Sequence, residues 1–214
     1  SDLRAGIKAT VTLVFSEPVA NLELADFTAA GTAGEADNGT FSKLKSSDNI
    51  TWTVKFTPAE DTVEDNNSLS LAASWTDTVG NNVGTDNTTS NFEVETERPS
   101  ASFTFSVAQG TTFTHIPSNT TYPALKTGDN ATVTLVFSEV VSFSSDDDIE
   151  HSNVDFAEMT SSDNITWAGT FTPTDNKSDL TNKLTLKTSF TDIAGNTGTG
   201  AYAKWSYDNT TTNY

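Results

Sequence analysis

The sequence predicts an all-β protein built from two antiparallel β-sandwiches in tandem. Three observations support this prediction: sequence blocks that occur twice, apolar residues at every second position within those blocks, and turn-forming residues between them. The chain has 214 residues. Each repeat therefore has roughly the 100 residues that a small domain needs to form its own hydrophobic core.

Three blocks recur in the same order along the chain. ATVTLVFSE occupies residues 9–17 and 131–139, SSDNITW residues 46–52 and 161–167, and the related TDTVGN and TDIAGN residues 76–81 and 191–196. The offset is 122 for the first block (9 to 131) and 115 for the later blocks (46 to 161 and 76 to 191). Such a change in length falls in loops or short connections, where it costs little. We predict two domains, residues 1–96 and 97–214.

The two predicted domains begin differently. Only residues 1–8 precede the first ATVTLVF block, whereas residues 100–130 precede the second block after the linker. We therefore expect the first strand of the first domain either to have been cut away or to lie outside residues 1–214.

The repeated segments alternate apolar and polar residues with a period of two, as strands with one buried face do. In the first copy the apolar positions are Val11, Leu13, Phe15; Ile50, Trp52, Val54, Phe56; Leu69, Leu71, Ala73, Trp75; Phe92 and Val94. In the second copy they are Val133, Leu135, Phe137; Ile165, Trp167, Phe171; Leu184, Leu186, Phe190; Trp205 and Tyr207. We predict that these residues, including all four tryptophans, pack in the cores rather than form a ligand-stacking surface.

Thr, Val and aromatic residues dominate the predicted strands, and Gly, Asn and Asp separate them. Several short strands per hundred residues, with turns every 8 to 12 residues, are typical of an immunoglobulin-type sandwich with strands A to G. The chain has no cysteine, so it lacks both the antibody disulfide and thiolate metal sites.

The charge balance restricts the partners that the chain can bind. There are 29 acidic and 11 basic residues, a net charge of -18 at neutral pH. Nucleic acid is excluded as a partner because phosphate binding needs clustered Lys and Arg. The acidity serves either solubility in salty or cold surroundings or the binding of divalent cations. No run of about 20 apolar residues occurs, so we expect no membrane span in these residues.

Catalytic motifs are missing from the sequence. His115 and His151 are the only histidines, and neither has the spacing of a catalytic triad. Glycine-rich phosphate loops and zinc-ligand spacings do not occur. Asp146, Asp147, Asp148 and Glu150, which precede His151, suggest a solvated loop more than a metal site. We predict that the protein is not an enzyme.

The order TVTLVFSE, SSDNITWTVKFTP, a TDxxGN turn and SNFEVETERPSASF resembles the bacterial Ig-like repeats of large surface proteins, namely biofilm adhesins and RTX-type adhesins. The resemblance covers nearly the whole chain. It departs from the family at the shortened start, at the long segment 103–123, at residues 144–150, and in the linker, which reads ETERPS at residues 95–100.

This resemblance implies an extracellular, cell-surface location and an extender role, in which repeats hold a terminal adhesive domain away from the cell. We expect a monomer whose partners are neighbouring Ig-like repeats of the same chain. The alternative is a module that binds a glycan, a peptide or ice through loops such as 103–123 or 31–39. A third interpretation is an accessory sandwich attached to a secreted glycosidase.

The resemblance also implies calcium near the domain junction. If the strands run A to G, the B–C, D–E and F–G loops meet at the end of the domain where the linker arrives. For the second domain this predicts that five carboxylates converge there: Glu95, Glu97, Glu139, Asp163 and Asp192. Calcium takes six to eight oxygen ligands of this type.

Other carboxylates occupy corresponding positions at the two ends of the chain. Glu17 and Asp77 are the counterparts of Glu139 and Asp192 in the first domain, and Asp208 is the counterpart of Glu95 for a following domain. For all of these residues the competing interpretation is that they end strands or cap turns.

Overall fold

The computed structural model describes residues 3–31, 38–82, 86–107, 111–115, 120–125, 129–174 and 178–208. The chain forms two compact units, unit 1 (Ser1–Glu97) and unit 2 (Arg98–Tyr214). The boundary predicted from the sequence lies one residue earlier. Each unit is described by itself.

Unit 1 consists of short strands and one 3-10 turn at Leu24–Asp26. Its strands are β1 (Ala9–Val14), β2 (Val19–Ala20), β3 (Phe27–Ala30), β4 (Gly39–Ser46), β5 (Thr51–Pro58), β6 (Val63–Leu71), β7 (Thr76–Asp77), β8 (Asn87–Thr88) and β9 (Phe92–Glu95). One sheet has the order β1-β5-β4, and the second has β3-β6-β8 with β9 also on β6. A small ribbon joins β2 to β7.

Unit 2 repeats this arrangement with additional strands. They are β10 (Ala101–Val107), β11 (Thr111–His115), β12 (Thr120–Leu125), β13 (Ala131–Phe137), β14 (Val141–Ser142), β15 (Ile149–Glu150), β16 (Val154–Phe156), β17 (Thr166–Pro173), β18 (Ser178–Leu186), β19 (Thr191–Asp192) and β20 (Ala201–Asp208). One helical turn, α1, spans Ser145–Asp148. Much of segment 103–123, which the alternative of a binding module treats as a loop, is therefore strand.

The two sheets of unit 2 have the orders β10-β13-β17-β16 and β11-β12-β20-β18-β15. The first is the A-B-E-D sheet of an immunoglobulin sandwich, and the second holds its C, F and G strands. Among the described strands of unit 2, β12 and β20 pair in parallel and the other pairs are antiparallel. The predicted all-β fold of immunoglobulin-like antiparallel sandwiches is confirmed.

The repeated blocks adopt the same register in both units. Leu13 pairs with Trp52 between β1 and β5, and Leu135 pairs with Trp167 between β13 and β17. Leu3 and Leu125 are 122 residues apart and have similar pairing. Leu3 forms a parallel bridge to Val94 of β9 in unit 1, and Leu125 of β12 pairs in parallel with β20 in unit 2. The ATVTLVF strand therefore pairs with the SSDNITW strand in the same way in both units.

The predicted apolar positions supply the cores. Leu135, Phe171, Phe190 and Trp205 are all at most 1% exposed in unit 2. Trp52 and Trp75 pack against the core of unit 1 and Trp167 against that of unit 2, each half-buried. One strand prediction was too long, because β6 ends at Leu71 and Trp75 packs from the loop that follows.

Candidate metal centre

Asp192 organises the turn that links β19 to β20. Its Oδ1 accepts the backbone N–H groups of Gly195 (2.6 Å) and Asn196 (2.8 Å), and its Oδ2 accepts the side-chain amide of Asn196 (2.8 Å). The residue is only 4% exposed. Gly195 adopts a φ of 90°, a backbone conformation that favours glycine. The TDxxGN pattern is thus a turn closed by its own aspartate.

Asp77 closes the equivalent turn of unit 1 with the same kinds of bond. It accepts the backbone N–H groups of Val79 (2.9 Å) and Asn81 (2.8 Å) and the side-chain amide of Asn81 (2.6 Å). Partial burial raises the pKa of Asp77. The side-chain amide and backbone N–H of Asn81, together with the backbone N–H groups of Val79 and Gly80, lower it by more, so the pKa of Asp77 lies below its ordinary value. The predicted turn-capping role is therefore present in both units.

Glu139 brings a second carboxylate close to Asp192 within unit 2. It follows β13 by two residues and is half-buried, and one of its oxygens lies within 4.8 Å of an Asp192 oxygen. A short ribbon holds this arrangement together, because Val141 of β14 pairs with Asp192 of β19. Two carboxylates at this spacing repel each other, and a divalent cation would relieve the repulsion.

The first residues of unit 2 are attached beside this pair. The Arg98 guanidinium donates to the Thr197 hydroxyl (2.8 Å) and carbonyl (3.2 Å). The N–H of Thr199 donates to the Pro99 carbonyl (2.9 Å). The N–H of Ser138 donates to the Ser100 carbonyl (2.9 Å). The linker thus enters unit 2 between the end of β13 and the turn of Asp192.

The two linker glutamates belong to the last residues of unit 1. Glu95 ends β9 and is half-buried, and its Oε1 accepts the N–H of Glu97 (2.8 Å). Glu97 itself is exposed. Both carboxylates are at most three residues from Arg98, the first residue held by unit 2.

The counterparts in unit 1 share a small cleft. Glu17 is exposed and lines, with Asp77, Asn81 and Asn82, a cleft of about 90 Å³. Among the residues described in unit 1, no close group of three acidic side chains forms there. Asp208 ends β20, and its side chain lies outside the described part of the chain.

Asp163 lies in the D–E turn as predicted and has a local structural role. Its Oδ1 accepts the N–H groups of Ile165 (2.9 Å) and Thr166 (2.7 Å) and the hydroxyl of Ser161 (2.9 Å). The N–H of Thr166 is the main cause of its lowered pKa, followed by the other two donors. Asp48 makes the same contacts in unit 1, and its pKa is also lowered, mainly by the N–H of Thr51.

These turns predict a loss of stability in acid. A lowered folded-state pKa contributes stability that is complete above the ordinary carboxyl pKa of 3.8 and lost as pH falls through the folded value. The urea midpoint of the unmodified chain should fall below about pH 4 as Asp163 becomes protonated. In Asp163→Asn, which keeps one acceptor oxygen but has no carboxylate to protonate, we expect this fall to be smaller. Asp155→Asn, an exposed aspartate of the same unit, is the control. Equal pH profiles for the two variants would contradict this role.

Two aspartates are unexpectedly buried. Asp148 was predicted to lie in a solvated acidic loop, which is wrong for this residue, and Asp26 was not singled out in the sequence. Asp26 is 8% and Asp148 is 5% exposed, and they are 122 residues apart. Each accepts a serine hydroxyl, from Ser74 and Ser189 respectively. Each also accepts a backbone N–H, from Glu23 (2.7 Å) and Ser144 (2.9 Å). They fix the connection before the C strand, and the 122-residue offset is the signal that could have revealed them.

The acidic loop before His151 separates into different environments. Asp148 is buried, whereas Asp146, Asp147 and His151 are exposed, and His151 lies over Phe156 with ring centroids 5.5 Å apart. His115 lies in β11, and its side chain lies outside the described part of the chain. Of the predicted candidates, unit 2 brings Glu139 and Asp192 together.

Comparison with known proteins gives one family. A search of curated proteins finds no match to the chain. The helical residues that the structure describes form no segment long and apolar enough to cross a membrane. The family model described as bacterial Ig-like domain matches residues 1–94 and again residues 112–209. Domains of this family are generally non-catalytic and structural and typically occur in extracellular or surface proteins. With two matches that together span most of its length, the chain belongs to the family of bacterial Ig-like domains.

Proposed function

We propose that the two units are extender repeats of a large bacterial surface adhesin of the biofilm or RTX type. In this role they hold an adhesive domain away from the cell, and calcium bound where the linker enters unit 2 stiffens the chain. The observation that carries the proposal is the Glu139 and Asp192 pair beside the attached residues 98–100.

Chain connectivity supports a contribution from the linker. Three residues span at most about 11 Å when fully extended, so Glu95 stays within that distance of Arg98 whatever path the linker takes. Arg98 is bonded to Thr197, five residues after Asp192. Chain connectivity therefore limits how far Glu95 and Glu97 can lie from the entry of the linker, and carboxylates with loop carbonyls form the ligand set that calcium prefers.

The hydrogen bonds of Asp192 leave it able to bind a cation. A carboxylate has about four lone-pair positions, and the turn uses three of them. Glu139, Glu95 and Glu97 add oxygens, and loop carbonyls and water complete six to eight ligands. Asp163 is left out of the proposed site because it does not belong to the close acidic group that contains Glu139 and Asp192.

We expect calcium to bind the full chain with a dissociation constant of about 0.1–1 mM, as extracellular modules do. At a calcium concentration ten times the dissociation constant, binding stabilises the folded, docked state by about 1.4 kcal/mol. The melting temperature of a chelator-treated sample should then rise by roughly 6–11 °C. Isothermal calorimetry and thermal melts measure both quantities.

Matched variants locate the binding. Glu139→Gln should abolish the calcium-dependent rise in melting temperature, whereas Glu150→Gln, the same change at an exposed residue of unit 2, should keep it. Equal responses of the two variants, or no response of the unmodified chain, would overturn the calcium site. The alternative function, binding of a glycan, a peptide or ice, was assigned to loops such as 103–123 and 31–39. Much of the first segment is strand, and residues 32–37 of the second lie outside the described residues.

A further inference from the structure

The outer face of strands β18 and β20 in unit 2 carries an exposed aromatic ring beside two lysines. Leu184 of β18 and Trp205 of β20 face the core and are 0% and 1% exposed. Because side chains alternate along a strand, Lys183 and Lys204 lie on the opposite face, and both are exposed. Tyr202 shares this outer face and is 63% exposed.

The register of the two strands brings these three side chains together. Lys183 pairs directly with Lys204, and Thr185 pairs with Tyr202, which is the next pair on the outer face. The Lys183 Nζ lies 5.1 Å and the Lys204 Nζ lies 5.5 Å from the centroid of the Tyr202 ring. Lys183, Tyr202 and Lys204 together form what we call the lysine–tyrosine patch.

The positive charge of this patch is not balanced by an ion pair. Two lysines directly opposite each other on neighbouring strands repel and destabilise the pairing. The next strand, β15, places the exposed carboxylate of Glu150 opposite Thr185. Within the described part of the chain, neither Lys183 nor Lys204 forms an ion pair with this or another carboxylate. A local positive patch therefore remains on a chain whose net charge is -18.

The contacts within the patch are of a kind that an anionic ligand displaces. Cation–π contacts of exposed lysines are weak, and hydrogen bonds between an ammonium group and a carboxylate are stronger. A ligand that carries carboxylates therefore draws the two ammonium groups from the ring and relieves their mutual repulsion. The ring of Tyr202 then has a face free to stack on a flat apolar surface.

We propose that the lysine–tyrosine patch binds an anionic polysaccharide whose sugar rings carry carboxylates, that is, a polyuronate. The C–H face of one sugar ring stacks on Tyr202, and carboxylates of the polymer bind Lys183 and Lys204. Thr185, opposite Tyr202 in the register, adds a side-chain hydroxyl that hydrogen-bonds to sugar hydroxyls. This binding depends neither on the extender role nor on the calcium site.

A second copy of this chain fits the patch less well than a polyuronate does. In a two-fold contact of this face with itself, the lysines of one copy would meet the lysines of the other. Any other face of a second copy brings a net charge of -18 close over a wide contact. A single polysaccharide strand contacts the patch and little else, and charges beyond about 8 Å are screened at physiological salt.

Three oligomers of equal length test the proposal by calorimetric titration of the full chain. Hexagalacturonate has sugar rings and carboxylates, maltohexaose has the rings alone, and hexaglutamate has the carboxylates alone. We expect saturable binding of hexagalacturonate and at least about tenfold weaker binding of the other two, because each lacks one set of contacts. A chelator in every sample removes calcium, so the result is independent of the proposed calcium site.

Variants of the patch locate the binding. Lys183→Gln together with Lys204→Gln should weaken hexagalacturonate binding at least about tenfold, and Tyr202→Ala should weaken it at least about fivefold. Glu150→Gln should instead tighten binding about twofold, because a carboxylate on the same face repels the ligand. All four side chains are exposed, so thermal melts should show that the variants stay folded.

A charge-matched variant in unit 1 controls for the loss of two positive charges from the chain. Lys43→Gln together with Lys45→Gln changes two exposed lysines of β4 and should leave the affinity for hexagalacturonate unchanged. No binding of hexagalacturonate, or equal binding by the two double variants, would overturn the proposal. Equal affinity for hexaglutamate would identify an acidic-peptide site instead, and equal affinity for maltohexaose would exclude a role for the lysines.

Discussion

Phe137→Ala lowers the free energy of unfolding of unit 2 by about 3–5 kcal/mol, the usual cost of removing a buried aromatic side chain. Phe137 is 3% exposed and packs between Phe143 and Phe190, with ring centroids 5.3 and 4.9 Å away. Truncation leaves a cavity that neighbouring strands cannot close without losing their own contacts. Residue-resolved hydrogen exchange of the full chain measures the loss separately for each unit.

Phe15→Ala is the matched control, in the same nine-residue sequence. Phe15 is half-buried and packs edge-to-face on Trp75, with centroids 4.5 Å apart. We expect a clearly smaller loss in unit 1 because part of this ring already contacts water. Equal losses at the two positions would contradict the difference in burial between the two rings.

Trp205→Ala is expected to destabilise unit 2 by a similar 3–5 kcal/mol. The side chain is 1% exposed and packs on Phe171 from the facing sheet, with ring centroids 5.1 Å apart. It therefore joins the two sheets of the sandwich. Thermal and urea unfolding of the full chain measure the effect.

Tyr202→Ala on the same strand is the control for this change. Tyr202 is 63% exposed, so its removal should alter stability by no more than about 0.5 kcal/mol. Comparable losses for Trp205 and Tyr202 would mean that the ring of Trp205 is not a core element.

Local sequence was sufficient to predict the strands, their alternation and the turns. The period of two in ATVTLVF and SSDNITW depends on neighbouring residues alone, and both blocks pair in the same register. Asp192 and Asp163 were also correctly placed in turns, because an aspartate carboxylate bonds to amides two to four residues away.

Burial could not be predicted from the same local sequence. Leu13 and Leu135 have identical neighbours along the chain, yet only Leu135 is fully buried, because β10 covers it from a distant part of the sequence. The burial of Asp26 and Asp148 could not be predicted from neighbouring residues for a related reason. The serine hydroxyls that they accept come from residues 48 and 41 positions away, so only the 122-residue offset between the two aspartates connects them in the sequence.

Small-angle scattering of the full chain with and without calcium tests the central claim most directly. If calcium stiffens the entry of the linker into unit 2, saturating calcium should increase the maximum dimension of the unmodified chain. The increase should be absent in Glu139→Gln and present in Glu150→Gln. Scattering curves of the unmodified chain that are identical in calcium and in chelator would contradict the claim that these repeats are extenders stiffened by calcium.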